Sequence, residues 1–110
     1  FKGKSLDSFC PMGPALVTAD EIPDPQHLAI HLRVNGRVRQ SSNTARMIFP
    51  VAQCIEVLSI GMTLEPGDLI ATGTPSGVGA AAGSFLKIGD RVEAEVERIG
   101  VLANTVVAPP

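Results

Sequence analysis

Cysteine is scarce in this 110-residue chain, and the two that occur, Cys10 and Cys54, stand far apart with no CxxC pair. That spacing gives no redox motif and no support for a disulfide, so reduced thiols in a cytoplasmic protein are expected. Excess charge of either sign is also lacking. A net charge of −2 and a pI near 5.6 give no electrostatic footprint for nucleic acid or an anionic membrane. No apolar run reaches the ~18 residues that a membrane helix needs. The longest candidate, residues 47–64, is broken by Pro50, Gln53, Glu56 and Gly61. The first residues carry no apolar core of a signal peptide, which again favours the cytoplasm.

What is present suits one small globular domain over residues 1–110: hydrophobic residues make up 45% and charged residues 18%, enough for a core but not for disorder. Eleven glycines and nine prolines cut the chain into short elements and favour strands and turns over long helices. Residues 15–18 form a short apolar run, read as a strand. Leu28, Ile30, Leu32 and Val34 alternate with His27, Ala29, His31 and Arg33, the period of a half-buried strand. Asn35-Gly36 then signals a tight hairpin, with residues 37–41 returning antiparallel.

Residues 47–60 hold the one helical pattern, because Val51, Cys54, Ile55 and Leu58 share a face. Pro50 suits its first turn and Gly61 its end. Residues 68–72 read as a strand that runs into a glycine-bearing loop. Val92, Ala94 and Val96 alternate with Arg91, Glu93, Glu95 and Glu97, and residues 101–107 return after Gly100. The fold class expected is therefore α+β and β-rich, with antiparallel strands and one short helix.

Several motifs fail on their own chemistry. Gly3-Lys4-Ser5 lacks the earlier glycine and the following helix of a P-loop, since Pro11 and Pro14 intervene. Gly77, Gly79 and Gly83 are spaced GxGxxxG, and no βαβ unit surrounds them, so a flexible loop is expected at residues 77–83. Ser76 sits in a Gly-Thr-Pro-Ser-Gly run whose spacing is wrong for a nucleophile elbow, and no histidine follows it. His27 and His31 would pair on a metal only in a helix, whereas the pattern places both on a polar strand face. Glu93, Glu95 and Glu97 read as a charged solvent face beside Arg91 and Arg98. Spacing alone yields no catalytic constellation.

Taken together, four stretches carry more information. They are Gly-Lys-Ser-Leu-Asp (residues 3–7), Ser-Asn-Thr-Ala-Arg-Met-Ile-Phe (42–49), the run from 64 to 79 ending Thr-Gly-Thr-Pro-Ser-Gly-Val-Gly, and residues 86–100 with Asn104-Thr105 beyond. In order and spacing they resemble the fumarylacetoacetate hydrolase family over nearly the whole chain, specifically the C-terminal part of its catalytic domain. The resemblance implies a mixed β-roll with the active site at the strand ends. It also implies a metal-dependent hydrolase, decarboxylase or isomerase acting on 2-oxo or 2-enol carboxylic acids of the acylpyruvate type. Mg²⁺ or Mn²⁺ would stabilise the enolate, as a Lewis acid does best where carbanion character develops beside a carbonyl.

Carried over residue by residue, Lys4 corresponds to the family's active-site lysine, and Ser8 stands where relatives place a threonine beside the cation, with Asp7 ordering the same turn. Thr74 corresponds to the threonine that hydrogen-bonds the substrate carboxylate, while Gly73 and Gly77 would let backbone N–H groups approach that anion. Gln40, Asn43 and Thr44 look like loop-ordering residues. The family's acidic metal ligands lie upstream of the Gly-Lys-Ser motif, so no metal ligand is assigned in this chain. The expectation is a partial domain, inactive alone, within an enzyme that binds a small oxo acid and forms a homo-oligomer. The alternative is a non-catalytic β-rich structural or interaction module on the same scaffold.

Overall fold

A computed structural model describes residues 5–108. Its centre is a four-stranded antiparallel sheet with strand order β2-β1-β3-β4. The strands are β1 (Ala29–Val34), β2 (Arg37–Asn43), β3 (Arg91–Val96) and β4 (Gly100–Thr105). The expected hairpin forms, with Val34 opposite Arg37. Asn35 at φ 51° and Gly36 at φ 77° supply the two consecutive left-handed residues that match the twist of a two-residue turn. Asn35 does more than tolerate that backbone. Its Nδ2 donates to Asp90 Oδ1 at 2.8 Å, and its Oδ1 accepts from Arg91 N at 2.9 Å, so the hairpin tip is fastened to the start of β3.

β1 is the middle of the fold. Ile30, Leu32 and Val34 face Val96, Ala94 and Val92 across the ladder, which gives the sheet one apolar side. On the other side Arg33 pairs with Glu95 at 2.7 Å and Arg91 with Glu93 at 3.2 Å. Glu97 is not a bare solvent-face charge, because its Oε2 accepts from Ala29 N at 2.8 Å and holds the start of β1.

The helix α1 covers Val51–Ser59 rather than residues 47–60. Pro50 stands at its N-cap with ψ 154°, outside the helix, and the restriction a proline places on the residue before it disfavours helix at Phe49, so the apolar run 47–49 does not extend α1. The cap that Pro50 cannot provide comes from elsewhere: Gln26 Oε1 accepts from Val51 N at 2.9 Å. Gln26 Nε2 in turn donates to Thr44 O at 2.7 Å, and Thr44 Oγ1 accepts from Leu28 N at 2.9 Å. Asn43 Oδ1 accepts from Ala45 N at 2.9 Å, so Asn43 and Thr44 do order the strand-to-helix connection.

Other expectations are corrected. Among the described residues, 15–18 and 68–72 have no strand partner and run as extended loop; a short apolar run does not reveal by composition whether a partner exists. His27 lies in a 3-10 turn, Pro25–His27, with Nδ1 2.6 Å from Asp24 Oδ2, so the two histidines do not share a strand face. The stretch expected as a flexible loop forms a second short helix, α2 (Gly79–Ala82), closed by Gly83 at φ 60°. Three consecutive alanines are strong helix formers, and a left-handed glycine is the usual stop. Cys10 and Cys54 are both free thiols.

Between Leu32 and Arg33 the β1–β2 register shifts, leaving Arg39 as an extra residue on β2. The glycine loop settles on this bulge. A Cβ on Gly77 would overlap the Arg39 carbonyl oxygen and stand 3.1 Å from Gln40 Cγ, and Gly77 has φ 104°. Gly77→Ala therefore combines backbone strain with a clash against main chain, and is expected to destabilise the protein by about 3 kcal/mol. A urea-unfolding midpoint equal to that of the parent protein would contradict the docking.

Asp90 generates a pH prediction. Its two oxygens accept from Lys87 N and Asn35 Nδ2, each at 2.8 Å. Its pKa is held below the usual carboxylate value, by the Lys87 N–H first and the Asn35 amide second. A depressed folded pKa contributes stability that is present above the unfolded value, about 3.9, and disappears as pH falls through the folded one. Asp90→Asn turns one acceptor into a donor. It should lower the melting temperature at pH 7, and the gap to the parent protein should narrow as the pH is lowered toward 3. A gap independent of pH would refute the assignment.

Candidate functional site

The apolar face of the sheet is not filled by its own chain. Among the described residues the buried hydrophobic side chains are Ile22, Leu28 and Val34, whereas Leu16, Ile48, Ile60, Leu69 and Phe85 are largely exposed. Between that face and the glycine loop lies an open groove of about 850 Å³. Ile30, Leu32, Ala94 and Val96 form its floor, Met47, Ile48, Phe49 and Cys54 one part of its wall, and residues 72–76 another.

Polar side chains also line the groove, Gln40, Ser42, Arg46 and Thr74 among them. Thr74 lies on the loop, exposed, with its Oγ1 2.9 Å from Gln40 Nε2. The same amide nitrogen donates to Pro75 O at 2.7 Å. Arg46, at the end of the 3-10 turn Thr44–Arg46, also lines the groove. It is a cation that motif reasoning passed over, because only the folded chain brings residues 46 and 74 to one cavity. It stands inside the stretch 42–49 that carries the family resemblance, which by itself assigns it no role.

The loop is held at three points on β2. Gln40 binds its first half, the Arg39 main chain receives Gly77, and Arg39 Nη2 donates to Ser84 Oγ at 3.0 Å beyond α2. Gly73 and Gly77, paired in the sequence reading, do different work. Nothing lies within 4 Å of a Cβ built on Gly73, whose φ is 95°, while the space beside Gly77 is taken by β2. Gly73 thus leaves backbone open beside Thr74, and Gly77 is small so that the loop can dock.

Ser8 occupies an exposed turn at φ 64° and is not among the residues lining the groove. Lys4 lies outside the described residues. Among the described residues no cluster of three or more histidine, cysteine or acidic side chains could hold a metal ion. The potential ligands that touch the groove are His31, Glu95 and Cys54, and Glu95 is committed to Arg33 at 2.7 Å.

Comparison with known proteins agrees with this architecture. Residues 1–107 match the family described as fumarylacetoacetate (FAA) hydrolase C-terminal. An oxaloacetate tautomerase of Bacillus subtilis is 51% identical over 108 residues, which is 96% of this chain and 36% of the relative. A fumarylacetoacetate hydrolase structure from Exiguobacterium antarcticum superposes with TM-score 0.94 at 48% identity, covering 99% of this chain and 40% of that one. The maleylpyruvate hydrolase of a Sphingobium species, solved with manganese(II) and pyruvate, superposes with TM-score 0.86 at 41% identity, covering 94% and 38%. This chain thus spans little more than a third of the length of these relatives. A β-rich α+β fold, the four matched stretches and the whole-length agreement lead to one conclusion: the chain belongs to the fumarylacetoacetate hydrolase family and corresponds to its C-terminal region.

Proposed function

We propose that the protein carrying this chain is an enzyme acting on small 2-oxo or 2-enol carboxylic acids, and that keto–enol interconversion of oxaloacetate is the first reaction to test. The observation that carries this reading is the placement of Thr74, on a loop pinned to β2, at the edge of a groove with an apolar floor. A carboxylate seated there would accept from the Thr74 hydroxyl and from backbone N–H groups left open by Gly73. Arg46 would add positive charge to the same groove. The carbon skeleton would lie on Ile30, Leu32 and Ala94, where exclusion of water strengthens each polar contact.

The tautomerase name belongs to relatives about half identical to this chain, such as that of Bacillus subtilis. Acylpyruvate cleavage is the second reaction of this class, supported by the maleylpyruvate hydrolase structure. Decarboxylation rests on the family resemblance alone. Mg²⁺ or Mn²⁺ enters the proposal through ligands outside the described residues. The manganese(II) and pyruvate of the Sphingobium structure support it. By the same resemblance Lys4 would stabilise negative charge on the substrate oxygens, and Ser8 would support the water shell of the cation. The 110 residues would be a partial domain, inactive alone. Edge strands β2 and β4 and the uncovered apolar surface favour a homo-oligomer of the complete protein.

Three outcomes are expected. With Mn²⁺ or Mg²⁺, the full-length gene product should accelerate loss of the enol absorbance of oxaloacetate or cleave acylpyruvates. Absence of turnover and of pyruvate binding with both metals would defeat the reading. Thr74→Val, which removes a hydrogen bond to a charged group but keeps the shape, should raise KM by about ten-fold or more. The isolated chain should show no turnover in the same assays.

A further inference from the structure

The Gln40 side-chain amide determines what Thr74 can do. The Pro75 carbonyl is an acceptor only, so the group that faces it at 2.7 Å must be the Gln40 NH₂ and not the amide oxygen. That fixes the amide orientation, which a side-chain amide does not otherwise reveal. The second hydrogen of the same NH₂ is directed to Thr74 Oγ1 at 2.9 Å. Thr74 Oγ1 is therefore an acceptor toward Gln40, and its own proton must point elsewhere. Thr74 is exposed and lines the groove, so that proton is available to an acceptor seated there. Gln40 can hold this position because it follows the bulge residue Arg39 on β2, where Gly77 brings the loop backbone within reach.

We infer that Gln40 is a positioning residue: its amide fixes the Thr74 hydroxyl as a hydrogen-bond donor aimed into the groove, toward the carboxylate of a 2-oxo acid. The inference rests on the assignment of Thr74 to carboxylate binding and adds the reason that the hydroxyl is presented with its proton outward. A threonine free to rotate would spend part of its time offering a lone pair to the anion, which repels it. Glutamate at position 40 would reverse the polarity. Its carboxylate would accept the Thr74 proton and face the Pro75 carbonyl oxygen without a hydrogen between them.

The test is a double-mutant cycle in the full-length gene product, reading KM for oxaloacetate and, by calorimetry, the Kd for pyruvate. Thr74→Val and Gln40→Ala should each weaken both constants, by about ten-fold and about three- to ten-fold, with kcat changed less than KM. The double variant should be no weaker than Thr74→Val alone, since Gln40 acts through the hydroxyl that is already gone. Gln40→Glu, which preserves the side-chain volume if alanine disturbs folding, should bind pyruvate more weakly than Gln40→Ala at pH 8. The deficit should shrink as the pH is lowered through about 4.3 and below, where a protonated glutamate regains one donor. Additive effects of Gln40→Ala and Thr74→Val would overturn the inference and leave the Thr74 assignment standing. A Thr74→Val protein with unchanged KM and Kd would overturn that assignment, and the inference with it.

Discussion

The site of this protein depends on a place where a side chain is missing. At the β2 bulge the carbonyl of Arg39 lies against residue 77, which can meet it only because glycine carries no Cβ to overlap that oxygen. Once that contact is made, the rest of the loop has little freedom. Gln40, one residue on, binds both Thr74 and Pro75, and the Arg39 side chain reaches Ser84 on the far side of α2. Sterics fix the approach and hydrogen bonds fix the orientation. Without the first, the second would have no partners in range.

The sheet beneath is stabilised in a similar economy of contacts. Few residues are fully buried, so hydrophobic burial within this chain alone is modest. Polar side chains satisfy the backbone at the joints instead. Gln26 caps α1, Thr44 receives Leu28 N, Glu97 receives Ala29 N, and Asn35 joins the hairpin tip to β3. Each joins segments distant in sequence, and each leaves the apolar face of the sheet open toward the groove. That openness fits a chain spanning little more than a third of its relatives' length.

The same segments were legible to different degrees. Alternation identified β1 and β3, and Asn35-Gly36 identified the turn, because the two-residue period and the left-handed turn are local properties of the chain. The apolar pattern marks the helix but extends back to Met47, whereas α1 starts at Val51, because the pre-proline restriction at Phe49 outweighs the pattern around it. Residues 15–18 and 68–72 had strand composition without strand partners, and pairing is not a local property. The glycines around the alanine stretch suggest a loop, whereas its three alanines carry it into a helix.

The family and Thr74 were within reach of the sequence because a run such as Thr-Gly-Thr-Pro-Ser-Gly-Val-Gly keeps its identity whatever surrounds it. The roles of Arg46, Gly77 and Gln40 were not. Arg46 is separated from Thr74 in the chain and joins it only across the groove, and the two site glycines look alike until β2 fills the space beside one of them. The sequence by itself determined the strand period, the hairpin turn and the family. Tertiary structure alone decided which glycine docks, which cation shares the groove and which way the Gln40 amide faces, because those follow from distances between segments that no local pattern encodes.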